Sequence, residues 1–167
     1  HSLEWWKREI IKYKQFLEKQ FNVEITHEDL RDAIKLMNRE REALKRLHKL
    51  NAHIPAPLTG MDMMKAQWLS SFNVDREKGI ELIEKLIEEV EQRIEEGKFP
   101  FDENAPRILL TGTPIGIGSE KVLKILEESG ASVVALENCT AYKKLHVMVD
   151  EDKNPIDALA EKYLATP

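Results

Sequence analysis

Two stretches hold the residue types that could do chemistry. One is Gly112, Thr113, Gly116 and Gly118 within RILLTGTPIGIGSEK (107–121), and the other is Glu137-Asn138-Cys139-Thr140. Glycines that open a helix can aim backbone N–H groups at an anion, and the helix dipole adds to the attraction, so a phosphate-bearing ligand is one reading of the first stretch. The spacing Gly112-x-x-x-Gly116-x-Gly118 is not G-x-G-x-x-G, and no G-K-[ST] follows, so neither nucleotide fingerprint is met. Tight turn geometry demands glycine too, and that reading stays open. In the second stretch Glu137 occupies the place of a ribose-binding carboxylate. Cys139 is the chain's one cysteine. Alone it builds neither a zinc site nor a cluster, which need about three or four ligands. As a nucleophile it would need a base, and His146 is the nearest histidine after it. Otherwise it is a small half-buried hydrophobe.

The elements that must position these residues are legible around them. Ile108-Leu109-Leu110 is an apolar run before the glycines, and Val122, Leu123, Ile125 and Leu126 follow with helical spacing. Gly130 closes that helix, and Val133-Val134-Ala135-Leu136 forms a second apolar run. The unit spans about 30 residues, the size of one βαβ crossover. Continuous apolar strands predict parallel pairing with both faces covered. Ligands of open parallel sheets gather at the carboxyl ends of the strands, here 111–118 and 137–144.

Ahead of this unit the chain reads as helices. Trp6, Ile10, Tyr13 and Leu17 share one face over 3–21, and Asn22 breaks the pattern. Thr26 and Asp29 resemble a capping box before a helix through Leu30, Ile34, Leu44 and Leu47. The charged run Arg39, Glu40, Arg41, Glu42, Lys45 and Arg46 reads as a solvated face. Pro55 and Pro57 set an extended loop, Thr59 caps a short helix through Trp68, and Asp75 opens a long helix closed by Gly97. Trp5, Trp6 and Trp68 fit helix packing. Leu145–Val149 is a short strand or turn, and Pro155 starts a final helix. The predicted class is α/β: an all-helical segment (1–98), a linker (99–106), and a partial Rossmann-like parallel βαβ unit (107–167). Two strands bury little by themselves, so the expectation is a fragment whose sheet other segments complete.

The totals exclude several classes. The chain has 167 residues, 42% hydrophobic and 33% charged, with net charge −5. No part has the basic excess of a nucleic-acid binder, and no apolar run is long enough to span a membrane. A single cysteine excludes an internal disulfide and suits a reducing cytoplasm. The five histidines lack metal-ligand spacing, and Asp150-Glu151-Asp152 reads as a solvated loop.

Taken together, RILLTGTPIGIGSEKV, VVALENCTAYKK and DALAEKYL resemble the second α/β domain of the 2-hydroxyacyl-CoA dehydratase D-component family. That family includes benzoyl-CoA-reductase-like subunits and double-cubane iron–sulfur cluster proteins. EWWKREI, ITHEDLRDAIKLMNREREAL and PAPLTGMDMMK resemble the helical insert that lies between its two α/β domains. The resemblance covers nearly the whole chain. It implies a fragment, inactive alone, of a lyase or reductase subunit more than twice this length. Such a subunit would work in a homo- or heterodimer and hold [4Fe-4S] or double-cubane clusters. An ATP-dependent activator would supply it with low-potential electrons, for chemistry on a CoA thioester or a small molecule. By position Cys139 is the one cluster ligand the chain can offer. Relatives often carry TG-C-P where this chain has Thr111-Gly112-Thr113-Pro114, so a ligand role there is lost. Ala141 replaces the familiar glycine after ENCT. From the residues themselves two other classes stand open: a non-catalytic helical dimerisation or scaffold module, and a nucleotide-binding regulatory domain.

Overall fold

The computed structural model of the chain describes residues 2–139 and 141–166; Thr140 lies outside them. Four helices come first: α1 (Ser2–Phe21), α2 (His27–Leu50), α3 (Gly60–Phe72) and α4 (Arg76–Glu95). Strand β1 (Arg107–Thr111), helix α5 (Lys121–Glu128) and strand β2 (Ser132–Glu137) follow. A single 3-10 turn (Tyr142–Leu145) and helix α6 (Pro155–Ala165) complete the chain. The protein is thus mostly helical with a small mixed α/β part.

Local chemistry sets the helix ends. Asn22 takes a left-handed φ of 51° where α1 stops. The Thr26 hydroxyl accepts from Asp29 N while the Asp29 carboxylate accepts from Thr26 N, a reciprocal capping box at the start of α2. Thr59 and Asp62 repeat that arrangement at α3. Asp75 caps α4 through Lys78 N, and Asn154 caps α6 through Ile156 N, with Pro155 where no N–H is needed.

The chain divides into two compact units. The larger runs from Glu40 to Leu145. Its core joins Leu44 and Leu47 of α2, Met63 and Met64 of α3, Ile83, Ile87 and Val90 of α4, Leu123 of α5 and Val133 and Leu136 of β2. β1 and β2 pair in parallel, with Ile108 against Val133, an irregularity, then Leu109 against Ala135 and Thr111 against Glu137. One expectation is corrected here. Only one face of β1 is covered among the described residues, and Leu109 on the other face is 59% exposed. Asn51, fully buried, ties the proline loop to the sheet: its Oδ1 accepts from Leu58 N and its Nδ2 donates to the Val134 carbonyl.

A second correction concerns the charged run of α2. Glu40 and Arg41 are buried, not solvated. The Glu40 carboxylate accepts from the Ser70 hydroxyl at 2.7 Å and pairs with the Arg76 guanidinium at 3.4 Å. Arg76 also donates to the Ser70 carbonyl at 2.7 Å. Lys144, from the 3-10 turn, donates to the Ser71 hydroxyl at 2.7 Å. Burial pulls its ammonium below the usual lysine range, with Arg76 and Arg41 acting in the same sense and Glu40 against them. One carboxylate therefore draws in cations from α4 and the turn.

The other unit joins the described residues up to Arg39 with those from His146. Its small core is Ile34, Val149 and Ala158, with Leu159 packed beside them. Asn38 donates to the Val149 carbonyl and to Glu151, and accepts from Val149 N. α1 packs on α6, with Lys7 to Asp157 at 3.0 Å, but buries none of its own residues. Trp5 and Tyr13, expected to pack, are 59% and 63% exposed. The stretch 145–149 holds the end of the 3-10 turn and no strand among the described residues.

Candidate crevice at the strand ends

Parallel pairing brings the two predicted stretches together because Thr111 and Glu137 are register partners at the carboxyl ends of the strands. The Thr111 hydroxyl donates to Glu137 Oε2 in a short hydrogen bond, and Lys143 Nζ lies 3.4 Å from Glu137 Oε1. The Thr111 bond, then the Lys143 charge, hold the Glu137 carboxyl below the usual range. Glu137 is therefore an acceptor at neutral pH, not an acid.

The three glycines of the turn each spend their N–H within the chain. Gly112 N donates to the Glu137 carbonyl at 3.4 Å. Gly116 N donates to the Ser119 hydroxyl at 3.0 Å, and Gly118 N to the Glu120 carboxylate at 2.9 Å. That last bond leads the effects that pull the Glu120 carboxyl down, leaving a negative charge at the N-cap of α5. Gly112 and Gly118 sit at φ 119° and 95°, which only glycine adopts readily. At Gly116 the reason is space: a Cβ there would lie 2.1 Å from the Trp68 ring. Thr113 occupies the exposed bend after β1.

Across the crevice Asn138 is buried, and its carbonyl accepts from Ala141 N at 3.0 Å. The Ala141 methyl joins the core where a glycine would leave space. Cys139 is a free thiol and exposed, not the half-buried hydrophobe considered from sequence. A cleft of about 470 Å³ runs beside Glu137, lined by Lys45, His48, Lys49, Leu109, Ala135, Leu136 and Tyr142 as well. From sequence Lys45 reads only as part of a solvated face, and neither His48 nor Lys49 reads as a site residue. Lys45, His48 and Lys49 lie one turn apart on the end of α2, an i, i+3, i+4 pattern that could have flagged them. His48 is buried, shares a short hydrogen bond with the Gln67 amide, and meets Tyr142 edge-on at 5.2 Å. Burial pushes its pKa down to about 4, so the imidazole is neutral at pH 7.

Comparison with known proteins gives the chain its kinship. The family described as "2-hydroxyglutaryl-CoA dehydratase, D-component" matches residues 1–167. The chain belongs to that family. It is 42% identical over 160 residues to a protein of Escherichia coli (strain K12) named as a dehydratase subunit, YjiM, covering 96% of this chain and 41% of that one. It is 28% identical over 164 residues to the (R)-phenyllactyl-CoA dehydratase beta subunit of Clostridium sporogenes, covering 90% of this chain and 41% of that one. The chain therefore spans about two fifths of the length of these curated relatives. Among the described residues no helix is long and apolar enough to cross a membrane.

Proposed function

We propose that the chain is the helical insert (1–98), linker (99–106) and part of the second, Rossmann-like α/β domain (107–167) of an iron–sulfur dehydratase or reductase subunit. The whole subunit acts on a CoA thioester or a small molecule in a reducing cytoplasm, pairs with a second subunit, and takes electrons from an ATP-dependent activator. The observation that carries the reading is the family match over the full length, joined to an exposed thiol at the paired strand ends.

An iron–sulfur cluster needs about four ligands. Among the described residues no three His, Cys, Asp or Glu side chains gather in a metal-binding group. Cys139 fits as one ligand among several that come from elsewhere, and this chain alone does not complete the set. Gly112, Thr113, Gly116, Gly118, Glu137, Asn138 and Thr140 would line the cofactor or substrate beside it. The exposed Thr111–Glu137 pair offers a fixed negative acceptor there, and backbone N–H groups near sulfur would tune a cluster's potential.

The deciding experiment is the intact mass of the natural gene product, purified anaerobically, with iron and acid-labile sulfide assayed on the same sample. A chain more than twice this length with several irons is expected. A 19.3 kDa product without iron would remove the enzyme reading.

A further inference from the structure

We infer that one stripe of α1 is a self-complementary surface that pairs antiparallel with α1 of a second copy of this chain. Trp5, Glu9, Lys12 and Phe16 follow one another at i, i+4, i+7 and i+11, so they form a single line along the helix. Trp5 and Phe16 close the two ends and are 59% and 58% exposed. Glu9 and Lys12 occupy the middle and pair with each other at 2.7 Å. A two-fold axis crossing the stripe midway between Ile10 and Ile11 places Trp5 over the second copy's Phe16, and Glu9 over its Lys12. The same operation repeats both contacts in reverse, which is what an isologous interface requires. A parallel pairing would instead put Glu9 on Glu9 and Lys12 on Lys12.

Area supports the same occupant. α6 covers one side of α1 and leaves Tyr13 (63%) and, on α6 itself, Tyr163 (51%) open next to the stripe. At roughly 200 Å² for each ring, these two with Trp5 and Phe16 present about 450 Å² per copy. With the stems of Glu9 and Lys12 added, two copies approach the ~1,000 Å² that a specific interface needs. The inference adds a surface and a partner to the subunit pairing proposed above, and it rests on that reading only in expecting a dimer.

The test uses the whole chain with Cys139→Ser. Light scattering should give a dimer, weakened at least tenfold by Trp5→Glu or by Glu9→Lys. The exchange Glu9→Lys with Lys12→Glu should restore it, which a misfolded variant would not do. Under mild oxidation the double variant Trp5→Cys/Phe16→Cys should cross-link two chains while each single variant does not. A monomer at 100 µM, a dimer indifferent to these changes, or cross-linking by Trp5→Cys alone would overturn the inference. The iron assay stands apart: an iron-bearing but monomeric product would sink this inference and leave the proposed function in place.

Discussion

Trp68 lies where a side chain on Gly116 would have to go: a Cβ there would meet the ring's Cζ3 at 2.1 Å. The α3 tryptophan thus presses on the backbone of the turn that lines the crevice. Gly116→Ala should force the ring aside, at about 1–3 kcal/mol, the usual penalty for overfilling a packed site. Urea unfolding and tryptophan emission would report it together. Stability within about 0.5 kcal/mol of the parent, with unchanged emission, would show that the contact carries no constraint.

Glu40 is the carboxylate against which Arg76, Ser70 and Lys144 are arranged. Removing one partner of a buried charge cluster leaves the others without compensation. Glu40→Ala should therefore cost about 2–4 kcal/mol, somewhat below a fully buried pair because Arg76 is one third exposed. Lys144→Met, which leaves Glu40 still paired with Arg76, should cost less. The ordering matters more than either value, and chemical denaturation of both variants would check it. Lys144→Met being the worse of the two would contradict it.

That cluster also marks where sequence reading stops. Helix ends were legible because capping is local: Thr26 with Asp29, Thr59 with the start of α3, Asp75 and Pro155 each announce a terminus within a few residues. The crevice was legible for the same reason, since strand, glycine turn, helix and strand are consecutive and parallel pairing follows. Glu40 and Arg41 sit in a run of alternating charges that looks identical whether it faces water or protein. The groups arranged around Glu40, namely Ser70, Arg76 and Lys144, lie 30 or more residues from it and carry no pattern that points back. Leu109 fails in the other direction. An apolar strand residue announces burial, but what would cover it lies on a face that the described residues leave open.

The Thr111 hydroxyl is the leading cause of the depressed Glu137 carboxyl. Thr111→Val keeps the strand's shape and removes the donor, so the Glu137 pKa should rise toward the ordinary glutamate value. Lys143→Met should raise it by less. Carbon-13 NMR titration of the labelled glutamate carboxyls resolves this directly. An unshifted Glu137 in the Thr111→Val protein would mean that the strand-end bond does not hold the carboxylate.

His48 offers a pH dependence whose sign follows from burial. Burial holds its folded pKa at about 4 against the ordinary histidine value of 6.5, so between those values the unfolded chain takes up a proton that the folded chain refuses. Stability from this group is fully present above pH 6.5 and is lost as the pH falls from 6.5 toward 4. The loss is about 3 kcal/mol if the whole shift operates, at 1.36 kcal/mol for each unit. Carboxylates that titrate in the folded protein add their own slope below about pH 5, so the informative window is pH 5 to 6.5. His48→Gln can still bond Gln67 but cannot take a proton there, and it should flatten the dependence in that window. Urea midpoints for both proteins at half-unit steps would show it. Parallel curves for the two proteins would place the titrating group elsewhere, and His48 would then be no more than a packing residue between Gln67 and Tyr142.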